Sequence, residues 1–464
     1  MKNLRHDLGL RLMKLLPIIL TAVPFGAMWY LYFADSIMEP FFNRGNWVVI
    51  ALFVVLYVAF ARVYDAFLVS INKVSEMAYS QCLAVLVSDG IMFVVIWLLN
   101  RYFPNIVPCL ITLVVQFVLV ILWSVIANKW YFASFKPVKT AVIYDKRHHF
   151  EELLKEYDLE KKFDVQLVCS VRECVEDLEA LKAYKTVFIC GVQSHARNTI
   201  LKYCMDQNIS VYVLPRIGDI IMSGAKRMHM FHLPMLRVDR YNPHPEYRFC
   251  KRLFDIIASS LVLLLLSPVM LITALAIKLT DGGPVFYKQN RLTKDGKVFK
   301  VLKFRSMRVD AEKDGVARLS TGDKDDRITP VGRIIRKIRV DELPQLLNIL
   351  GGSMSVVGPR PERPEIAAQY EEELPEFRLR LQAKAGLTGY AQVYGKYNTT
   401  PYDKLQMDLM YIANPSFMED LRIIFATIKI IFIPESTDGV AVGQTTAMGD
   451  TEDTAQREKE LQNV

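Results

Sequence analysis

Four apolar runs precede residue 132: Leu15 to Phe33, Trp47 to Val63, Tyr79 to Leu99 and Ile106 to Tyr131. Each approaches or exceeds the ~20 residues that a helix needs to cross a bilayer core, so the pattern predicts four membrane helices. The first is expected to stay in place rather than act as a cleaved signal, because three more spans follow and no small-residue cleavage site is evident. A fifth run, Leu253 to Leu279, carries Ser267-Pro268 near its middle. Proline removes one helical donor and clashes with the carbonyl four residues back. The halves, Leu253 to Leu266 and Pro268 to Leu279, are each too short to cross. A helix, break, helix that dips into one leaflet and returns is therefore expected, with a proline-kinked fifth span as the alternative.

Between Thr140 and Val238 the pattern changes to short β-rich runs, Ala141 to Tyr144, Val165 to Val168, Thr186 to Cys190 and Val211 to Leu214, separated by polar helical stretches. That alternation predicts a small Rossmann-like α/β domain. A dinucleotide site needs a glycine-rich turn after the first strand, and Asp145-Lys146-Arg147-His148-His149 supplies none. The domain is thus read as lacking a cofactor motif and serving regulation or assembly, with His148 and His149 as solvated loop residues. Leu421 to Ile433 is too short to span, and Arg422 and Lys429 share one helical face, which fits an interfacial helix or one packed on the core. From Glu435 onward the chain is polar and acidic, and a disordered tail is expected.

Charge orients the spans. Lys2, Arg5, Arg11 and Lys14 precede the first, Arg62 and Lys73 lie between the second and third, and Lys129, Lys136 and Lys139 follow the fourth, while the opposite loops hold little more than Arg44 and Arg101. Positive-inside weighting puts the N-terminus and everything after Lys136 in the cytoplasm. Lys251 and Arg252 before the fifth run, with Lys278, Lys288 and Arg291 after it, mark both its ends as cytoplasmic, which favours the re-entrant form. Asp89 lies inside the third span, where an ionisable group is a functional suspect; an interhelical hydrogen bond near a helix end is the plainer reading. The net charge of +8 fits anionic lipid, phosphates or nucleic acid equally well. The seven cysteines form no CxxC pair and read as reduced core residues.

From Lys251 to the C-terminus there is neither histidine nor cysteine. Imidazole acid/base chemistry, thiolate nucleophiles and Cys/His zinc sites are excluded there, and carboxylates remain. The densest polar stretch is Arg339-Val340-Asp341-Glu342-Leu343-Pro344-Gln345. On a helix starting at Asp341, Leu343, Leu346, Leu347 and Leu350 would form the buried stripe, with Asp341, Gln345 and Asn348 opposite. Pro344 in the first turn fixes that start, and two carboxylates then sit at a helix N-terminus. Aspartate is also a common helix cap, which is the plainer role for Asp341. Lys303, Arg305 and Arg327 lie upstream in basic clusters, and downstream Gly351-Gly352-Ser353-Met354-Ser355-Val356-Val357-Gly358-Pro359-Arg360-Pro361-Glu362, with paired glycines and a rigid Pro-Arg-Pro turn, suits a loop that presents backbone donors and one fixed guanidinium to a phosphate. Arg333, Arg336 and Lys337 read as a solvated or lipid-facing stripe. Two acids ringed by arginines and hosting a hard cation are suited to diphosphate chemistry, with aspartate the available covalent nucleophile.

From about Lys251 to Pro434 the chain resembles the bacterial sugar transferases, the monotopic phosphoglycosyl transferases that act on undecaprenyl phosphate. The resemblance is carried by Lys251-Arg252-Leu253-Phe254-Asp255, Ser267-Pro268, Lys303-Phe304-Arg305-Ser306-Met307, Asp326-Arg327-Ile328-Thr329, Asp341 to Gln345, Gly358-Pro359-Arg360-Pro361 and Gly386-Leu387-Thr388-Gly389. The preceding spans and α/β domain look like the long form of the family. The resemblance implies that Asp341 attacks the sugar-linked phosphate of a UDP-sugar, releasing UMP, and that undecaprenyl phosphate then takes the phosphosugar. It implies Glu342 assisting beside Mg²⁺ held with Asp341, Arg360 on phosphate or nucleotide, Lys303, Arg305 and Arg327 in substrate binding, membrane lipid as a partner, and no nucleic acid. One departure is visible: the family usually has glycine where this chain has Thr293, which puts the local turn in question.

The expected organisation is thus a four-helix membrane domain (1–135), a Rossmann-like domain (136–240), a mostly α monotopic catalytic domain with a re-entrant helix-break-helix (251–434) and a tail (435–464), in the bacterial inner membrane with the catalytic domain on the cytoplasmic face. Which sugar is transferred is open, and a homodimer through the spans or the α/β domain is a guess. An idle scaffold for polysaccharide assembly is the alternative, and a redox or sugar-nucleotide-modifying enzyme is a third reading that lacks its glycine-rich turn.

Overall fold

The computed structural model describes residues 2–41, 44–100, 102–145, 159–241, 243–309, 311, 327–395 and 399–431. His148, His149, Asp326 and the expected tail lie outside the described residues. The chain forms two compact units, Met1–Pro215 and Arg216–Val464.

The first unit opens with four apolar helices, α1 (Lys2–Met28, continued by a π turn over Trp29–Phe33), α2 (Arg44–Val63), α3 (Val74–Leu99) and α4 (Val107–Ser134). They are long and apolar enough to cross a membrane, as is the helix Pro245–Thr280 further on, and mark a membrane protein. Apolar faces alone do not fix the register of such helices, and polar side chains do so through hydrogen bonds. Trp29 Nε1 donates to Asn46 Oδ1 at 2.9 Å, Gln116 Nε2 to the Thr21 carbonyl at 2.9 Å and Trp123 Nε1 to the Met13 carbonyl at 3.1 Å. The Tyr57 hydroxyl bonds Gln81. Asp89 sits well inside α3, not near its end, with the Gln116 side chain of α4 beside its carboxylate.

Beyond α4 the strands read from the sequence form one parallel sheet. It contains β1 (Val138–Tyr144), β2 (Phe163–Ser170), β3 (Thr186–Cys190) and β4 (Ser210–Leu214) in the order β2-β1-β3-β4. Parallel neighbours need crossovers, and α5 (Ser194–Asp206) supplies the one between β3 and β4. The central strand β3 is buried at every position, as its unbroken apolar run requires. All seven cysteines are free thiols, and Cys169, Cys174 and Cys204 lie in the core of this sheet.

The second unit begins with α6 (Ile217–Ser223) and an antiparallel hairpin, β5 (Lys226–Met230) and β6 (Leu233–Arg237). Although this stretch falls inside the span 136–240, Ile220 shares a core with Leu405, Leu409 and Ile412 of the second unit.

The long helix α7 (Pro245–Asp281) ends at Gly282 with φ 69°, the left-handed conformation glycine adopts at helix ends. The expected break at Ser267-Pro268 does not interrupt it. The Leu264 carbonyl, four residues before Pro268, loses its backbone donor, and the Ser267 hydroxyl replaces that donor at 2.8 Å. Val262 and Leu263 pack with Leu346 and Ile349, and Met270 and Ala274 pack around Ile277, Phe304 and Ile335. Leu264, Leu265, Leu271 and Ile272 between and beside these contacts are exposed.

Next come the antiparallel pair β7 (Phe286–Leu292) and β8 (Val298–Phe304), then α8 (Pro330–Lys337), α9 (Gln345–Leu350), β9 (Ser355–Val357), α10 (Pro364–Glu373), β10 (Gly386–Thr388), α11 (Pro401–Ala413) and α12 (Phe417–Ile431). α8 starts at Thr329, whose hydroxyl accepts from Gly332 N at 2.9 Å, with Pro330 in the first turn. It buries Ile335 and exposes Arg333, Ile334 and Lys337. α12 carries the expected amphipathic segment and packs on the core through Ile423. Its Asp420 accepts from Lys251 at 2.9 Å and from Tyr247 and Tyr411 at 2.8 Å each, tying it to α7 and α11.

Candidate active site

Asp341 and Glu342 lie on a short 3-10 turn, Val340–Glu342, and not on the helix predicted from Asp341. α9 starts only at Gln345, because Pro344 is its N-cap. The change of pitch also shifts the buried stripe: Gln345, Leu346 and Ile349 are buried and Leu347 is exposed. Asn348 leaves the site altogether. It bridges to β8, accepting from Leu302 N and donating to the Lys300 carbonyl at 2.9 Å each. Preceding the acids, Arg339 has φ 58°, a left-handed conformation that costs a residue with a Cβ about 1–2 kcal/mol. Such outliers concentrate where a site needs a particular side-chain direction.

The structure brings Asp341, Glu342, Lys303 and Arg360 together. β8 delivers Lys303, whose Nζ donates to Glu342 Oε1 at 2.8 Å, and the loop after β9 delivers Arg360, whose Nη2 reaches the same oxygen at 3.1 Å. Burial pushes the Glu342 carboxyl up, but Lys303, Arg360 and Arg339 outweigh it and hold this acid well below the usual carboxylate range. Asp341 is buried at 8% exposure. That burial, with the Glu342 charge beside it, pushes Asp341 up to about 6, against the pull of Lys303, Arg336 and Arg339. Two neighbouring acids therefore titrate apart. One is a fixed anion, and the other is a carboxyl whose ionised form is more basic than that of an ordinary aspartate.

The other sequence-derived residues stand around this centre. Arg305, two residues beyond Lys303, is buried at 6% exposure, with its backbone N–H on the Val285 carbonyl and its guanidinium against Gly283. Arg327 adjoins the bridge between Met307 and Ile328, its carbonyl accepting from Arg308 N at 2.9 Å. Ser267 and Pro268 lie on α7, apart from the acids.

The expected phosphate loop, Gly351 to Glu362, is interrupted by β9, and its last part, Gly358 to Glu362, is held from below. Gly358, Gly386 and Gly389 bring main chains so close that a Cβ on Gly386 would strike Gly358 N, and one on Gly389 would strike the Gly358 carbonyl. A narrow cleft runs along this loop, lined among others by Thr293, Arg360, Phe377 and Arg380. Thr293 adopts an extended conformation that needs no glycine. Its hydroxyl donates to the Ser353 carbonyl at 2.9 Å and accepts from Ala385 N at 3.2 Å.

Sequence reasoning missed the buried charges beneath the loop, Arg380 and Asp408. Arg380 and Asp408 pair at 2.7 Å with side chains 3% and 1% exposed, and Arg380 lies 3.5 Å from Glu362. A signal was present: Leu405, Asp408, Leu409 and Ile412 share one face of α11, so Asp408 is a charge set in an apolar stripe.

Comparison with known proteins matches residues 246–434 to the bacterial sugar transferase family. The chain is 39% identical over 234 residues to a UDP-N-acetylgalactosamine-undecaprenyl-phosphate N-acetylgalactosaminephosphotransferase of Aeromonas hydrophila, covering 50% of this chain and 54% of that protein. It is 35% identical over 265 residues to a UDP-glucose:undecaprenyl-phosphate glucose-1-phosphate transferase of Escherichia coli strain K12, covering 56% and 57%. The match thus spans only a little over half the length of these two relatives. A shorter one, an exopolysaccharide production protein of Rhizobium leguminosarum bv. phaseoli, is 46% identical over 187 residues, which make up 38% of this chain and 92% of that protein. With that relative matched almost end to end, and with Asp341, Glu342 and Arg360 inside the matched span 246–434, the chain belongs to the bacterial sugar transferase family.

Proposed function

We propose that this protein transfers a sugar-1-phosphate from a UDP-sugar to undecaprenyl phosphate, as a first step of exopolysaccharide, capsule or O-antigen repeat-unit synthesis. The observation that carries this reading is the buried Asp341 beside an ionised Glu342 that Lys303 and Arg360 hold. Above pH about 6 an Asp341 oxygen attacks the phosphorus bonded to the sugar oxygen. The bond from that phosphorus to the bridging oxygen breaks, and UMP leaves with the electron pair. A phosphate oxygen of undecaprenyl phosphate then attacks the same phosphorus, the aspartyl–phosphorus bond breaks, and Asp341 returns as carboxylate. Lys303 stands where charge builds on the transferring phosphoryl group, and such a fixed cation favours the transition state over the ground state, while Arg360 holds the diphosphate of the bound UDP-sugar.

Two adjacent carboxylates fit Mg²⁺, which binds through one or two carboxylates plus phosphate and water. Asp341 and Glu342 would hold it, and when bound it would neutralise diphosphate oxygens.

The membrane arrangement is part of the same proposal: four spans, a Rossmann-like domain, and α7 as a re-entrant helix that places the catalytic domain on the cytoplasmic face of the inner membrane. Support comes from the two flanks of α7. Val262 and Leu263 before Ser267-Pro268, and Met270 to Ile277 after it, pack on the same unit, while Leu264, Leu265, Leu271 and Ile272 near the proline are exposed.

The test is UMP release by the detergent-solubilised protein from a panel of UDP-sugars with Mg²⁺ and undecaprenyl phosphate, alongside Asp341→Asn. Turnover with a sugar that vanishes in the variant identifies reaction and donor. No UMP from any sugar returns the protein to the scaffold alternative.

A further inference from the structure

The loop that carries Arg360 is gripped by its main chain. Arg380 Nη2 donates to the Arg360 carbonyl at 2.8 Å, Arg291 Nη1 to the Pro361 carbonyl at 2.9 Å and Leu292 N to the Glu362 carbonyl at 3.0 Å. Pro359 and Pro361 restrict the backbone on either side of Arg360. Three consecutive carbonyls are thereby fixed from outside the loop, and with them the direction in which Arg360 projects towards Glu342.

Arg380 is itself immobilised. Its Nε and Nη2 both reach Asp408 Oδ2, at 2.8 and 2.7 Å, and its guanidinium lies 4.8 Å from the centre of the Phe377 ring. Burying such a pair costs desolvation that its attraction often only balances, so an apolar pair of similar volume would hold the fold as well. An apolar side chain could not donate to the Arg360 carbonyl.

We infer that Arg380, oriented by Asp408, is a positioning residue for Arg360: it sets where that guanidinium meets the diphosphate of the UDP-sugar. The inference rests on Arg360 being a phosphate ligand, as proposed above. Arg380 acts in donor binding, so its loss raises the KM for the UDP-sugar and spares the KM for the lipid acceptor.

The experiment compares full-length, detergent-solubilised wild type with Arg380→Lys, Asp408→Asn and Leu405→Ala. Leu405 is fully buried in the same helix as Asp408 and serves as the packing control. Steady-state UMP release gives a KM for each substrate, and thermal melting gives stability. In both charge variants the UDP-sugar KM is expected to rise about tenfold or more, with the undecaprenyl-phosphate KM within about twofold of wild type. Leu405→Ala is expected to lower the melting temperature without moving either KM. A UDP-sugar KM within about twofold of wild type in folded Arg380→Lys overturns the assignment, as does an equal rise in Leu405→Ala. If Arg380→Lys does not fold, Asp408→Asn decides by the same comparison. Absence of UMP release by the wild type would instead sink the transferase reading, which separates the two failures.

Discussion

Lys303 and Glu342, 39 residues apart in the chain, meet at 2.8 Å between Nζ and Oε1. This contact sets the protonation of a third residue. Glu342 stays ionised because of Lys303, and its charge, added to burial, holds Asp341 up at about 6. In the proposed reaction the donor half needs Asp341 ionised, so kcat/KM for UMP release should fall about tenfold per pH unit on the acid side of the Asp341 pKa, which bound Mg²⁺ would lower, and level off above it. Glu342→Gln removes a repelling charge and should move that acidic limb to lower pH. Lys303→Met removes an attracting one and should move it to higher pH. Unmoved limbs in both variants would rule out this electrostatic account.

The same shift makes Asp341 a burden on the fold. Its folded pKa lies above the ordinary value of 3.8, so the folded state favours the protonated form and ionisation above pH about 6 opposes folding. Asp341→Asn should therefore be inactive but more stable at pH 7.5, by roughly 1–3 kcal/mol. That gain should fade as the pH falls through about 6 and be gone below the ordinary value. Thermal melts at pH 7.5 and pH 4 measure it, and lower stability of the variant at pH 7.5 would contradict it.

Gly386→Ala is expected to cost about 1–3 kcal/mol or to prevent folding, since the added methyl would meet the main chain of Gly358. A backbone cannot swing aside as a side chain can. Gly296→Ala, at a turn where a Cβ meets nothing within 4 Å but φ is 72°, should cost only about 1 kcal/mol. Urea titrations of the two variants give the ranking.

Thr293→Val keeps the shape of the residue and removes its hydroxyl. Ala385 N and the Ser353 carbonyl each lose a partner, and leaving the buried Ala385 N–H unmet should cost about 1–3 kcal/mol. Thr293→Ser, which keeps both bonds, should stay within about 1 kcal/mol of wild type. Equal stability of the two variants would show that the hydroxyl contributes nothing.

Elements with one clear period were legible in the sequence. The four apolar helices and the four parallel strands lie where runs of apolar residues put them, within a few residues at most ends, although the first helix begins at Lys2, well ahead of the apolar run from Leu15. Asp341, Glu342, Lys303 and Arg360 were also found from charge pattern and family resemblance, and the structure brings them together. The local path was harder. Helical periodicity predicted one helix from Asp341, but a left-handed Arg339 followed by a 3-10 turn aims the acids instead. A sequence pattern carries no sign of a positive φ at arginine. The Ser267-Pro268 pair was read as a break because proline removes a donor, yet its neighbour's hydroxyl fills the gap and the helix continues. Arg380 was passed over because its partner Asp408 lies 28 residues away, and only the fold brings the two to 2.7 Å.

The groups gathered around Asp341 are carboxylates, an ammonium and guanidinium groups. None has a sulfur atom to climb the ladder from sulfenic to sulfonic acid, and none is an imidazole open to acylation. A cell under oxidative attack loses thiol enzymes first, and a transferase built this way keeps its reactive centre while they fail. Its weakness lies in ionic strength, because fixed cations that welcome a diphosphate also welcome competing anions.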